Sequence, residues 1–230
     1  MLTRGVLAAA IGLSFMLAGC NSATMMSSKR EPAPKSSLKP RDKVLLANTP
    51  YKEVAPPEAY QRAIVTYHRK EAPGSIVVDS DARYLYYVQG DGTAIRYGVT
   101  VGEEALAFSG VAKVGRLAEW PDWIPTADIK RRLGNIPDRV AGGPKNPLGA
   151  RGIYLYQGNK DTLFRIHGTN QPEYIGEAIS SGCIRMTNED VIDLYERVKT
   201  GTTVVVLAPK QGDSPFNPRG QQHANLFGRD

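Results

Sequence analysis

The chain has 230 residues, 41% of them hydrophobic, and a formal charge of +6. Residues 21–73 hold ten basic and five acidic side chains, whereas residues 74–209 hold fifteen and sixteen. The basic excess therefore lies on a flank, and a nearly neutral body lacks the clustered positive charge that nucleic-acid binding needs.

Residues 1–20 open the chain. Arg4 supplies a positive start, Gly5 to Ala18 is apolar, and Leu17-Ala18-Gly19-Cys20 ends the run with small residues. The apolar stretch is too short to remain as a comfortable spanning anchor. A positive start, an apolar stretch and a small-residue end make a secretory signal. Leu-Ala-Gly-Cys further resembles the bacterial lipoprotein signal, which implies lipidation of Cys20 and stable membrane anchoring by multiple acyl chains. Asn21 follows where an inner-membrane retention signal would often have Asp, and this favours the outer membrane if there are two. Residues 21–73 carry seven prolines and little apolar periodicity. They read as a Pro-rich basic tether, partly ordered from about residue 60, with a span on the order of 40 Å r.m.s..

Residues 74–209 are long enough for one domain with a core. Strands are expected at 75–79 and 83–88. Gly90-Asp91-Gly92 then turns the chain into a return strand over 93–101. A further strand region falls at 111–117. A short helix is expected over 126–133, capped by Thr126 and ending in basic residues. The Gly- and Pro-rich stretch 135–152 reads as a long ordered loop. Strands at 153–156 and 163–166 follow, and the second delivers His167 at its end. Thr187 starts a helix with the apolar stripe Val191, Leu194, Tyr195 and Val198. Gly201 fits the position after its end, and residues 202–207 form a last strand. Residues 210–230 read as a disordered tail.

The chain has two cysteines and three histidines. If Cys20 carries lipid, Cys183 is an unpaired thiol in an exported protein and needs a reason to be there. Cys183 lies in Ser180-Ser181-Gly182-Cys183-Ile184-Arg185-Met186, after the His167 of Ile166-His167-Gly168-Thr169-Asn170. A position just ahead of a helix N-terminus, with Arg185 and a charged imidazole nearby, would lower the thiol pKa. His167 could take the thiol proton and return it to a leaving amine. Backbone N–H groups around Gly182 and Cys183 could face a developing oxyanion. Against each role stands a bland one: a turn cap for His167, a buried apolar residue for Cys183, a surface ion pair for Arg185.

His167-Gly168-Thr169-Asn170 followed by Ser180 to Met186 resembles the signature of the L,D-transpeptidase (YkuD-type) family. Ala72 to Asp79, Trp123-Ile124-Pro125-Thr126 and Asn146-Pro147-Leu148-Gly149 resemble further family landmarks, so the likeness covers about residues 72–208. It implies a mainly β fold, a β-sandwich of mixed sheets with one or two short helices. It implies Cys183 as nucleophile and His167 as general base and acid, oriented by the Gly168 backbone carbonyl. The donor would be a peptidoglycan tetrapeptide stem, cut at the L,D-peptide bond after its third residue with release of D-Ala. The thioester would pass to an amine of a neighbouring stem, to a protein lysine, or to water. No metal or organic cofactor is implied. Many members have His directly before the Gly-Cys pair where this chain has Ser181. Ser181 can donate one hydrogen bond but cannot carry charge, so activity with an altered pH dependence is expected.

Arg185 is a candidate for holding a stem carboxylate, since a guanidinium pairs with carboxylates bidentately. Tyr154, Tyr156 and Trp123 are candidates for lining the cleft. A papain-like peptidase would place Cys before His, the reverse of the order here. A non-catalytic wall-binding lipoprotein would not need both Cys183 and His167. Zinc would need a third ligand that the chain does not offer convincingly.

Overall fold

The computed structural model describes residues 31–32, 37–51, 54–101, 108–178 and 183–212. The signal segment with Cys20, Ser181, Gly182 and the tail beyond residue 212 lie outside the described residues.

Short β-branched and aromatic runs separated by turn residues favour strands, and eleven strands form among the described residues. They are β1 (Glu31–Pro32), β2 (Ala63–Thr66), β3 (Ile76–Asp79), β4 (Tyr84–Val88), β5 (Thr93–Gly98), β6 (Thr100–Val101), β7 (Gly110–Glu119), β8 (Arg151–Gln157), β9 (Lys160–His167), β10 (Ile184–Arg185) and β11 (Thr203–Val206). Three helices accompany them: α1 (Pro40–Ala47), α2 (Ala127–Leu133) and α3 (Asn188–Arg197). The mainly β character, the mixed pairing and the short helices follow expectation. The strands nevertheless join one continuous sheet, in the order β1-β2-β5-β4-β3-β11-β7-β8-β9-β10-β6. Separate sheets are avoided because β7 is long enough to serve two neighbours. Gly110 to Lys113 pair with β11, and Lys113 to Glu119 pair with β8, with a register shift between Val114 and Arg116. A bulge there bends and twists the strand. Gly115 allows it, because a Cβ would meet the Tyr156 ring.

One buried cluster unites both halves of the sheet with α3. It includes Ile76, Leu85 and Ile95 from one half, Ile153, Leu155, Ile166 and Ile184 from the other, and Val191, Ile192 and Leu194 from the helix. Thr187 caps α3 by accepting from the Asp190 N–H at 3.1 Å. Asp193 is buried on the helix's inner side. Tyr97 Oη donates to it at 2.5 Å, and Arg62 and Arg197 pair with it.

The tether reading fails for the residues after 37. The described residues from Leu38 to Tyr51 lie on the domain. Leu46 is in the core, Tyr51 is buried, and Asp42 is 1% exposed. Asp42 pairs with the buried Arg151 at 2.6 Å and accepts from Trp120 Nε1 at 2.8 Å. β2 lies in the stretch expected to be ordered from about residue 60, and it pairs along its full length with β5. Proline is compatible with this placement because Pro40 opens the helix, where its missing N–H costs nothing. The tail boundary moves as well, since the Gln211 carbonyl accepts from Arg69 Nη1 at 3.0 Å.

Candidate active site

β9 and β10 run parallel, with Ile166 opposite Ile184 and His167 opposite Arg185. Side chains alternate across a sheet. Ile166 and Ile184 enter the core, at 0% and 2% exposure. His167 and Arg185 therefore take the other face. Cys183, one residue before Ile184, belongs to that face by the same alternation and is half-buried. The thiol, the imidazole and a guanidinium thus converge on one face of β9 and β10, beside the edge strand β6. Burial pulls the Arg185 guanidinium below its ordinary value, while the charge of the nearby Cys183 sulfur pushes it up.

The imidazole is fixed by its own loop. His167 Nδ1 lies 2.6 Å from the Gly168 carbonyl oxygen. A carbonyl only accepts, so Nδ1 carries the proton and Nε2 is left as the base. The surrounding backbone is pinned. The Gly168 N–H donates to the Arg151 carbonyl at 3.1 Å, and the Met186 N–H donates to the His167 carbonyl at 2.8 Å. His167 is buried, and burial first, then the Arg185 charge, pushes its pKa down to about 3, against a smaller upward effect of the Gly168 carbonyl. The resting imidazole is therefore neutral.

Gly149 and Gly168 are both required by close packing. At either, a Cβ would meet Asn188 Oδ1, and Gly149 also has φ +60°. Asn188, fully buried at the start of α3, accepts from the Ala150 N–H at 2.8 Å and donates from Nδ2 to Tyr51 Oη. The long loop before β8 is ordered by Asn146. Its Nδ2 donates to the Val140 and Ala141 carbonyls at 2.8 and 3.0 Å, and its Oδ1 accepts from the Leu148 N–H at 2.8 Å. Asn170 Nδ2 donates to the Lys145 carbonyl at 3.1 Å, which ties this loop to the His167 loop.

One sequence expectation needs correction. Cys183 does not abut the helix: β10 intervenes, and α3 begins only at Asn188 behind its Thr187 cap. The dipole effect falls off within a turn, so Arg185 is the closer source of positive potential. Gly182 and Ser181 lie outside the described residues. Tyr154 shares the face of His167 through the pairs Tyr154–Arg165 and Gly152–His167. Trp123 lies on the loop, in a bridge with Val140. The sequence reading missed Arg116, Arg165, Asn188 and Tyr51. Only cross-strand register or tertiary contact joins them to the site. Among the described residues no three His, Cys, Asp or Glu side chains group to hold a metal ion.

The family model described as the YkuD L,D-transpeptidase catalytic domain matches residues 73–206. The Probable L,D-transpeptidase YbiS of Escherichia coli strain K12 is 34% identical over 137 residues, which are 57% of this chain and 43% of that protein. The Probable L,D-transpeptidase ErfK/SrfK of Salmonella typhimurium is 33% identical over 140 residues, 58% of this chain and 44% of that protein. The chain thus spans less than half the length of these curated relatives. Among solved structures, a Brucella melitensis chain described as a probable carnitine operon oxidoreductase is 48% identical. The match covers 68% of this chain and 98% of that one, with a TM-score of 0.45. The catalytic domain of the Enterococcus faecium L,D-transpeptidase acylated by ertapenem is 21% identical. It covers 60% of this chain and 100% of that one, also with a TM-score of 0.45. With both TM-scores below 0.5, the family assignment rests on the sequence match.

Proposed function

Because the family model matches more than half of its length, the chain belongs to the L,D-transpeptidase catalytic-domain (YkuD) family, and we propose on that premise that it is a peptidoglycan L,D-transpeptidase acting through Cys183. The observation that carries this reading is the His167–Gly168 contact at 2.6 Å. It leaves a neutral Nε2 on the face that also holds the thiol.

Nε2 takes the Cys183 proton as Sγ attacks the carbonyl carbon of the L,D-peptide bond in a donor tetrapeptide stem. The C–N bond breaks, and His167 returns the proton to the departing D-Ala amine. A thioester remains on Cys183. The amine of a neighbouring stem attacks it, Sγ leaves, and the new amide is a 3–3 cross-link. Arg185, beside the sulfur, stabilises the thiolate as it forms and is placed to pair with a stem carboxylate. The geometry supports acyl transfer by residues of the chain. Lipid on Cys20, which the run Leu17-Ala18-Gly19-Cys20 supports, would hold the domain at a membrane facing the periplasm, and Asn21 favours the outer membrane if there are two.

Incubation of the purified full-length chain with a carbapenem, read by intact mass, tests the nucleophile. One covalent adduct is expected in the wild type and none in Cys183→Ala. No wild-type adduct, or an equal adduct in the variant, would defeat the assignment. Muropeptide analysis then tests the product. 3–3 dimers support the transfer proposed, whereas tripeptides alone mean hydrolysis and a stem attached to protein means a lysine acceptor.

A further inference from the structure

We propose that Arg116, Tyr154 and Arg165 form a carboxylate subsite for the acyl side of the donor stem, one register step along the sheet from the thiol and imidazole. This rests on the reading that the substrate is a stem peptide.

The three residues stand in one row across three strands. Arg116 of β7 is opposite Tyr154 of β8, and Tyr154 is opposite Arg165 of β9. The next row on the same face is Gly152, His167 and Arg185. Two residues along a strand correspond to roughly 6–7 Å. Gly152 has no side chain of its own on this face, and the Tyr154 ring and Pro121 fill the space above it: a Cβ there would meet them at 3.1 and 3.4 Å. The Tyr154 ring thus bridges the two rows, and an extended peptide whose scissile carbonyl lies at Cys183 has the Arg116–Tyr154–Arg165 row one register step away.

That row is built to receive an anion. The Arg116 guanidinium carbon lies 3.4 Å from the Tyr154 ring centroid, and that of Arg165 lies 4.7 Å from it. Tyr154 is only 6% exposed although it is on the outer face, because the two cations cover it. Stacking on a ring fixes a guanidinium plane while leaving its N–H edge free. Two cations sharing one neutral ring repel each other, and local acid offsets little of this. Asp161 Oδ2 meets Arg165 Nη2 at 3.2 Å. Among the described residues the Arg116 side chain makes no ion pair or hydrogen bond, and the Arg185 guanidinium meets the charge of the Cys183 sulfur but no carboxylate. Lys113, opposite Tyr156, lies on the same face. The strip thus holds Lys113, Arg116, Arg165 and Arg185 against Asp161, within a domain that as a whole is nearly neutral. A bidentate carboxylate supplies what the row lacks. A donor stem carries two carboxylates on its acyl side, on the γ-linked glutamate and on the side chain of the diamino acid. Either offers this chemistry.

The test uses the Cys183→Ala chain, so that binding is read without turnover. Calorimetric titration compares a tetrapeptide stem with both acyl-side carboxylates free, one with the glutamate carboxylate amidated, and one with the diamino acid carboxylate amidated. The free acid should bind about tenfold tighter than one of the two amides, which identifies the carboxylate. Adding Arg116→Gln or Arg165→Gln should bring that ratio near one. Equal affinity for all three peptides, or a preference that survives both substitutions, would overturn the subsite. D-Ala release by the wild-type chain is followed separately. Its absence beside an intact, arginine-dependent binding preference would count against transpeptidation and not against the subsite.

Discussion

Asp42 and Arg151, 109 positions apart, close a buried ion pair through two contacts, Oδ1 to Nη1 at 3.0 Å and Oδ2 to Nη2 at 2.6 Å. The pair joins α1, outside the span of the family match, to the first residue of β8. The Arg151 carbonyl in turn receives the Gly168 N–H. Burial alone would raise the Asp42 pKa, but hydrogen bonds from Arg151 and Trp120 outweigh it and hold the carboxyl below its ordinary value.

Asp42→Ala leaves the Arg151 guanidinium buried without its counter-charge. Loss of one partner of a buried pair costs about 3–5 kcal/mol, and urea unfolding should show a loss of that size. The double variant Asp42→Leu/Arg151→Met should recover most of it, since an apolar replacement of both partners is close to neutral. A single-variant loss below about 1 kcal/mol would mean that α1 is only loosely docked.

The His167 pKa of about 3 gives a signed pH dependence. The unfolded chain protonates the same imidazole near 6.5. Between those values the unfolded state binds more protons, so stability rises with pH through this window and is lost as pH falls toward 3. His167→Gln should flatten that part of the thermal-stability profile. Carbapenem acylation should also stay within about threefold from pH 7 down to pH 5, because the base is already neutral. An acidic limb with its midpoint near 6.5 would show that the imidazole titrates normally.

The site was legible where local order carries it. The His167 and Cys183 segments sit on adjacent strands, so short motifs encode their convergence, and the helix stripe at Val191, Leu194 and Tyr195 announced α3. The α1 helix was not legible because it docks through Asp42, Leu46 and the following Tyr51. Its one core leucine makes no periodic stripe, and a buried aspartate reads as surface until its arginine is known. Arg116 and Arg165 were hidden for a related reason. Their meeting at Tyr154 is fixed by the register of three strands and by the bulge between Val114 and Arg116, and neither can be counted off along the chain.

Gly168→Ala should separate orientation from the presence of the base. The new Cβ would meet Asn188 Oδ1 and come within 2.9 Å of the Ala150 nitrogen, so the Gly168 carbonyl must move away from His167 Nδ1. Displacing a catalytic group by about 1 Å can cost on the order of a hundredfold. Carbapenem acylation should slow by about that factor, while alkylation of Cys183 by iodoacetamide shows that the thiol stays accessible. Unchanged acylation would remove the Gly168 carbonyl from the catalytic geometry.

Asn188 is the point where the N-terminal segment reaches the same loop. Its Oδ1 accepts the Ala150 N–H, and its Nδ2 donates to Tyr51 Oη. Tyr51→Phe removes only the second partner and leaves a buried amide N–H unsatisfied, at a cost of about 1–3 kcal/mol. Asn188→Leu orphans the Ala150 N–H as well and presses a branched side chain against Gly149 and Gly168. It should therefore destabilise more than Tyr51→Phe and slow carbapenem acylation severalfold further. Asn188→Asp keeps an acceptor for Ala150 and can accept a hydrogen bond from Tyr51 Oη, so it should recover most of the acylation rate. If Asn188→Leu and Asn188→Asp acylate equally fast, the Tyr51–Asn188–Ala150 contacts hold the fold together without positioning His167.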